Sequence, residues 1–306
     1  MNTYQDFFND KVPQLRVLLS TQWDYLTYAN VIEWLDDNFK NDSEGRYYAL
    51  KILLNLIYYS KRDLEELLDF GLHEKIYGEI VKEEYLNNHN IYIPTSEAEA
   101  KVNELKEHSY FVPLLDSNKP HESGNSVIGD LVHKISVNES QVGFHWNIKE
   151  EFLQKFKLLI FVDDCVGSGS QLKKFWNSTE IEKVKVICQK YDIKIYYLVL
   201  IGYDKKLEIL KKDGELKGIK VVVCDTLSDK NRIFSNENTI WDKTNNEIQN
   251  AVKYFEKIRK ERGVSFLGFK KLDFAVILHD RLPNWSLPIL WKETDGWKCL
   301  LRRKTS

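Results

Sequence analysis

The sequence predicts an α/β fold with a mostly parallel sheet, preceded by an all-helical domain. Helical periodicity dominates residues 4–90. From residue 95 onward, short apolar runs alternate with amphipathic helices, which is the pattern of a parallel sheet. One of these runs, 158–162, ends in two acids and a turn of small residues. This last feature indicates where a ligand would bind.

The predicted helical domain covers residues 1–95. Apolar residues recur at helical spacing in three stretches, and Asn41-Asp42-Ser43 predicts a turn with Ser43 as the next N-cap. Short helices in this arrangement are typical of a winged helix. However, residues 61–84 hold four basic residues against eight acidic ones, and such a charge repels nucleic-acid phosphates. A winged-helix-like protein-interaction module is therefore the better interpretation.

The second predicted domain covers residues 96–306. It carries five predicted strands, separated by helices, over 110–115, 158–162, 193–201, 220–223 and 274–278. A further helix is predicted over 245–262, where Gly263 ends it. Because strands and helices alternate, we expect most strands to run parallel.

Composition excludes several classes of protein. The 306 residues are 43% hydrophobic with a net charge of −2, which suits a packed core and not a dedicated nucleic-acid binder. Neither a signal peptide nor an apolar run of about 18 residues is present, so we expect a cytoplasmic protein without a membrane partner. Zinc and CxxC spacings are missing among the cysteines, which we expect to be reduced: Cys165, Cys188, Cys224 and Cys299.

The stretch KLLIFVDDCVGSGSQLKKF, residues 157–175, reads as strand, acid pair, small-residue loop and helix start. Glycines allow close approach of the backbone to a ligand, and loop amides at a helix start suit a phosphate, with Ser168 or Ser170 as the N-cap. Asp163 and Asp164 suit hydroxyls, a divalent cation or a developing positive charge. A ribose 5-phosphate activated at its anomeric carbon meets all these demands. The alternative is a core strand followed by an ordinary turn.

The C-terminal segment HDRLPNWSLPILW follows the last predicted strand and suggests a rigid, shaped loop. Asn284 has the donor and acceptor groups to read a base edge, and Trp285 has a ring that stacks. We assign four residues to the base or acceptor side of the site: Asp225, His279, Asn284 and Trp285. The alternative is that the tryptophans pack a C-terminal cover, which we favour for Trp291 and Trp297.

The 157–175 stretch resembles the phosphoribosyl pyrophosphate signature of type I phosphoribosyltransferases: apolar residues, two acids, then a Gly/Ser/Thr loop. Ser170 and Gln171 depart from the usual Gly-Thr ending of that signature. The resemblance implies that Asp163 and Asp164 are catalytic, orienting the ribose and stabilising positive charge. It also implies a 5-phosphate loop made of Cys165, Val166, Gly167, Ser168, Gly169, Ser170 and Gln171.

In phosphoribosyltransferases, a loop after an early strand contacts the pyrophosphate. The resemblance places Ser117, Lys119 and Ser123 in that loop, with Lys119 as a catalytic residue that helps pyrophosphate leave. Mg²⁺ is the implied cofactor, bridging pyrophosphate and ribose hydroxyls, so that the aspartates hold it through the ligand. A polar surface loop is the alternative for residues 116–124.

Together with NFKNDSEGRYYALKILLNLIYYSKRDLEELL and HDRLPNWSLPILW, the motif resembles phosphoribosyltransferase-like proteins of bacterial conflict systems. Such proteins carry a winged-helix-like segment and are often encoded beside or fused to reverse transcriptases, including retrons. The resemblance implies an anti-phage effector, with a reverse transcriptase and its RNA or DNA product as partners. A nucleotide or nucleic-acid substrate and an oligomer are compatible with it. The alternative function is a non-catalytic, ligand-sensing regulator that controls nucleic-acid or protein binding.

Overall fold

The computed structural model describes residues 3–87, 92–115 and 124–303. Its strands in these ranges are β1 Ile57–Tyr59, β2 Ser109–Pro113, β3 Leu158–Val166, β4 Lys194–Tyr203, β5 Ile219–Leu227 and β6 Val276–Leu278. Its α-helices there are α1 Thr3–Thr21, α2 Tyr28–Phe39, α3 Ser43–Leu54, α4 Lys61–Leu72, α5 Glu79–Asn87, α6 Thr95–Glu107, α7 Gly124–His133, α8 Glu150–Leu153, α9 Ser170–Trp176, α10 Thr179–Lys190, α11 Asp204–Lys211, α12 Glu247–Arg262 and α13 Pro288–Trp291. A π-helical turn, His73–Gly78, joins α4 to α5.

The chain divides into two compact units. The first unit combines residues 1–64 with residues 228–305, and the second unit spans residues 65–227. The boundary predicted near residue 95 lies inside the second unit and does not coincide with this division. Folding of 1–95 and 96–306 as separate domains stays a prediction.

The second unit contains the predicted parallel sheet. Its four strands lie in the order β2-β3-β4-β5, and every neighbouring pair is parallel. The fold class is therefore confirmed: a helical N-terminal region precedes an α/β domain with a parallel four-stranded sheet. Strands β3 and β4 are buried along almost their whole length, which explains their continuous apolar runs.

Helices cover both faces of this sheet. One face packs on α9, α10 and α11 through a core that includes Leu159, Phe161 and Trp176. On the other face, a Cβ on Gly71 of α4 would lie 2.8 Å from the Leu198 Cδ1 atom and 2.5 Å from the Cys224 Sγ atom. Only a glycine fits this close approach. The contact agrees with the assignment of residues 65–72 to the α/β unit.

The first unit has its own core and a two-stranded parallel sheet, in which β1 pairs with β6 from Ile57↔Val276 to Tyr59↔Leu278. The sequence interpretation of residues 4–90 as nearly all helical was therefore wrong at β1. Three residues are too few to show a strand period, and the partner strand lies far along the chain. Trp297 lies in this core, as we predicted.

The ends of helices α3 and α12 are defined by their capping residues. Asp42 caps α3 by accepting a hydrogen bond from the Gly45 amide at 2.8 Å, and Ser43 is the first helical residue, so the N-cap prediction was one residue late. Helix α12 ends at Gly263, which adopts φ +68° as the C-cap glycine. In the described ranges, no helix combines the length and apolarity that a membrane span requires.

Candidate functional site

The acid pair lies near the carboxyl end of β3, a central strand of the parallel sheet. Asp163 is 5% exposed and Asp164 is 3% exposed. The turn 167–169 follows the strand directly and leads into α9. In open α/β sheets, ligands bind outside the carboxyl ends of the strands. The fold therefore places two buried carboxyl groups where a ligand is expected.

Asp163 is held by two hydrogen bonds. The Tyr197 hydroxyl donates to its Oδ2 atom at 3.0 Å, and the Asp164 amide donates to its Oδ1 atom at 3.0 Å. Burial and the charge of Asp164 raise the pKa of the Asp163 carboxyl well above its ordinary value. Burial and the charge of Asp163 likewise raise the pKa of Tyr197.

Asp163 and Asp164 are adjacent carboxyl groups in the buried part of β3. A buried carboxylate beside a second carboxylate is stable only when a cation or further hydrogen-bond donors reach it. Ribose hydroxyls supply donors, and a developing oxocarbenium ion supplies positive charge. The electrostatics of the pair therefore favour a ligand of this chemistry.

The turn after β3 depends on Gly169. This residue adopts φ +72° and is itself the N-cap of α9, which has no side-chain cap. The prediction that Ser168 or Ser170 is the N-cap was therefore wrong. Instead, the Ser168 hydroxyl contacts the Ser170 hydroxyl at 3.1 Å. A Cβ on Gly169 would lie 2.5 Å from the Leu210 Cδ2 atom, so both backbone angle and space require glycine.

The amides of the turn are available to an anion. Among the described residues, none accepts a hydrogen bond from the backbone N–H of Gly167, Ser168 or Gly169. Gly167 and Gly169 are buried, and amide donors in such a turn suit an anion. Val166 is buried, Cys165 is half-buried and Gln171 is exposed.

Asp225 shares the edge of the sheet with the acid pair. In the strand register, Cys165 lies opposite Ile201 and Ile201 lies opposite Asp225. The Asp225 side chain accepts a hydrogen bond from the Thr226 amide at 2.7 Å. Asp163, Asp164 and Asp225 therefore lie near the same edge of the sheet, and the role of Asp225 on the base or acceptor side stays a prediction. Ser117, Lys119 and Ser123, the predicted pyrophosphate loop, lie outside the described residues.

The other three residues assigned to the base or acceptor side belong to the first unit. Asn284 is exposed, and its carbonyl accepts a hydrogen bond from the Phe269 amide at 2.9 Å. Trp285 is 3% exposed and packs edge-to-face on Phe274, with 5.3 Å between ring centroids. This burial corrects the stacking role predicted for Trp285, because the core covers its ring. His279 lies in a polar cluster described below.

Sequence analysis missed Tyr197. It lies within the apolar run of β4, where it resembles any other core aromatic residue. A buried tyrosine hydroxyl usually needs a hydrogen-bond partner, and the neighbouring strand ends in acids, so the signal was present but weak. Tyr197 is the residue of β4 that fixes the position of Asp163.

Metal binding by the protein alone is not indicated. Over residues 3–87, 92–115 and 124–303, no cluster of three or more His, Cys, Asp or Glu side chains has the arrangement of a metal site. Mg²⁺ usually keeps several waters and binds through one or two carboxylates plus ligand phosphates. The pair Asp163 and Asp164 fits that donor set.

The Asp163 carboxyl predicts an unusual pH dependence of stability. The pKa of this group is about 3.9 in an unfolded chain and well above this in the folded protein. Between these two pKa values the unfolded chain has lost the proton, and folding binds it again. This group therefore stabilises the ligand-free protein most at low pH and loses that effect as pH rises through the folded-state pKa. The slope reaches about 1.4 kcal/mol per pH unit.

Urea unfolding of the wild type and Asp163→Asn across pH 4–8 measures this effect. We expect the variant to gain stability relative to the wild type as pH rises. Subtracting the two curves removes the contributions of the other ionisable groups. A difference that stays constant with pH would contradict the raised pKa.

The chain is similar to a known protein family and to several solved structures. The family model PRTase-CE matches residues 31–303. Among curated proteins, none matches. A solved structure of the AQ2163 protein from Aquifex aeolicus is 18% identical, with a TM-score of 0.26. That match covers 40% of this chain and 56% of the other, so this chain spans just over half of that relative.

Orotate phosphoribosyltransferase from Aeropyrum pernix also matches, at 15% identity and a TM-score of 0.25, covering 44% of this chain and 78% of that enzyme. The parallel sheet, the acid pair and the glycine-containing turn, together with the family match, define a phosphoribosyltransferase-like α/β domain. The chain belongs to the PRTase-CE family.

Proposed function

We propose that the second unit binds a ribose 5-phosphate activated at its anomeric carbon, such as phosphoribosyl pyrophosphate with Mg²⁺. The observation that carries this proposal is the position of two buried carboxyl groups directly before a turn whose amides have no acceptor among the described residues. The amides of Gly167, Ser168 and Gly169 would receive the 5-phosphate. The carboxylates of Asp163 and Asp164 would accept hydrogen bonds from the ribose hydroxyls.

The proposed reaction is transfer or cleavage at the anomeric carbon. As the bond to the leaving group breaks, positive charge develops on the ribose ring. Asp163 and Asp164 stabilise that charge in a site of low dielectric, where such interactions are strong. Tyr197 keeps Asp163 in place through its 3.0 Å hydrogen bond. Bound Mg²⁺ supplies charge neutralisation for the pyrophosphate.

Calorimetry with phosphoribosyl pyrophosphate and Mg²⁺ tests the binding step, with ribose 5-phosphate and pyrophosphate titrated separately as controls. We expect saturable binding that requires both phosphate groups. Mass analysis of the reaction mixture with nucleotides and nucleic acids then detects a transferred or released phosphoribosyl group. Binding without any product would support the ligand-sensing regulator, and the absence of binding would contradict the proposal.

We infer a role for this activity in anti-phage defence, as an effector held silent by a reverse transcriptase and its nucleic-acid product. The support is the resemblance of three segments to proteins of bacterial conflict systems, together with membership of the PRTase-CE family. Expression of the chain alone in a bacterial host tests it. We expect growth arrest that co-expression of the partner relieves, whereas normal growth without any partner would contradict a silenced effector.

A further inference from the structure

A second polar cluster lies in the first unit, where β1 and β6 end side by side. β1 ends at Tyr59 and β6 ends at Leu278, and the next residue is His279. Parallel strands bring their carboxyl ends to one edge, which is where α/β proteins place ligand-binding groups. The segment His279–Trp291 was the other motif that stood out in the sequence, and the proposed ribose site does not use its first residue.

His279 lies in a tight turn and has a positive φ. Reciprocal hydrogen bonds between Leu278 and Arg281, of 2.8 and 3.0 Å, close a two-residue turn. In this turn His279 adopts φ +55°, a region that glycine or asparagine occupies more readily than other residues. The His279 amide also donates to the Tyr59 carbonyl at 2.6 Å, which fixes the turn against β1. The backbone of the turn therefore fixes where the imidazole begins, next to the end of β1.

The imidazole is oriented by Asp24. The His279 Nδ1 atom lies 3.0 Å from the Asp24 Oδ1 atom. Asp24 also accepts hydrogen bonds from the Tyr58 hydroxyl at 2.7 Å and from the Lys61 amide at 2.8 Å. Burial raises the pKa of Asp24, but these hydrogen bonds outweigh it, so the pKa lies below its ordinary value. Asp24 is thus an ionised acceptor, and Nδ1 must carry the proton that it donates.

This tautomer leaves the lone pair on Nε2. Within the described ranges, no group forms a hydrogen bond with His279 Nε2. The His279 side chain is 25% exposed and the Asp24 side chain is 36% exposed, so small molecules can reach the pair. The exposed Tyr25 ring packs edge-to-face beside the imidazole, with 5.4 Å between centroids. The aromatic ring of Tyr25 therefore provides an apolar surface beside the imidazole of His279.

The geometry points to a general-base dyad, His279 with Asp24, that acts on a hydroxyl or water brought to Nε2 by a ligand in the first unit. The proton moves from the hydroxyl oxygen to Nε2, and the oxygen keeps the electron pair as a nucleophile. The Asp24 carboxylate stabilises the imidazolium that forms. Both residues belong to the first unit, whereas the acid pair and the turn proposed to bind the ribose 5-phosphate belong to the second.

A structural role is the competing explanation, since the same contacts tie the loop before α2 to the turn after β6. His279→Asn separates the two roles. Asparagine adopts positive φ readily, and its side-chain amide keeps a donor for Asp24, but it has no basic nitrogen. We expect this variant to unfold within about 2 °C of the wild type, because the turn is preserved. This variant then serves as a folded control that lacks the imidazole in the reactivity measurements.

The test measures the tautomer and the reactivity of His279 directly. Long-range ¹⁵N–¹H spectra, assigned with His279→Asn, should show the proton on Nδ1. Diethyl pyrocarbonate acylates unprotonated imidazole nitrogen, with the Nε2 lone pair forming the new N–C bond and ethyl carbonate leaving. Mass spectrometry should find His279 modified faster than the other six histidines. The rate should fall about tenfold or more in Asp24→Asn, because the tautomer is no longer fixed.

A proton on Nε2, or a His279 rate no higher than that of the other histidines, would overturn the dyad. An unchanged rate in Asp24→Asn would overturn it too. None of these measurements uses phosphoribosyl pyrophosphate, so the failure of the ribose site and the failure of the dyad are distinguishable.

Discussion

Replacing both acids, in the double variant Asp163→Asn with Asp164→Asn, should weaken binding of phosphoribosyl pyrophosphate with Mg²⁺ by about 100-fold or more. Each carboxylate is expected to form a charge-assisted hydrogen bond with the ribose, worth about 1.5–3 kcal/mol. Enzymatic product and growth arrest should disappear with binding. Calorimetry, product analysis and growth measurements check these outcomes.

The same variant should remain folded at neutral pH. The substitution removes the burial cost of ionising Asp163 beside Asp164, and the Tyr197 hydroxyl can still donate to the side-chain oxygen of an asparagine. A matched control is Glu150→Gln with Glu182→Gln, which removes two negative charges from exposed ion pairs of the same unit. The control should bind like the wild type. Full activity in a well-folded Asp163→Asn/Asp164→Asn protein would contradict the proposed site.

Substituting the turn glycine, in Gly169→Ala, should lower the free energy of unfolding by about 2–5 kcal/mol. The left-handed angle of φ +72° costs a residue with a Cβ about 1–2 kcal/mol. Overlap of the new Cβ with the Leu210 side chain adds about 1–3 kcal/mol, because the core must shift. The displaced turn should also lose its affinity for the 5-phosphate. Urea unfolding and calorimetry measure the two effects.

Gly214 provides the matched comparison. It begins a short 3₁₀ turn in the same unit, and a Cβ there would meet no atom within 4 Å. Gly214→Ala should therefore leave binding unchanged and shift stability by less than about 1 kcal/mol, in the stabilising direction if at all. Equal behaviour of the two alanine variants would show that the turn at Gly169 tolerates rearrangement.

The sequence predicted the parallel sheet because buried central strands carry continuous apolar runs, as 158–162 and 193–201 do. The acid pair and the turn were recognisable from residue type alone. Adjacent aspartates are unusual at the end of a buried strand, and glycines are typical of a tight turn. Gly169 was recognisable because a positive φ favours glycine. These features depend on neighbours in the chain, which is why one sequence was enough.

Other features depend on residues far apart in the chain, and no local pattern reveals them. Strand β1 exists only because β6 lies beside it. Trp285 was open to two interpretations until its contact with Phe274 was known. Likewise, Tyr197 became a site residue only through the register of β4 against β3. Tertiary packing, and not propensity, decided all three.

The discontinuous first unit has a consequence for protein synthesis. Its N-terminal helices leave the ribosome long before their partners, because Ile57 pairs with Val276. At about 5–20 residues per second, this interval lasts roughly 10–40 s. During this interval the apolar residues of α1–α3 lack the partners that residues 228–305 supply, and such exposed surface is prone to aggregate, while the parallel sheet can already assemble. Translation speed and chaperone supply should therefore govern the yield of the first unit more than that of the second.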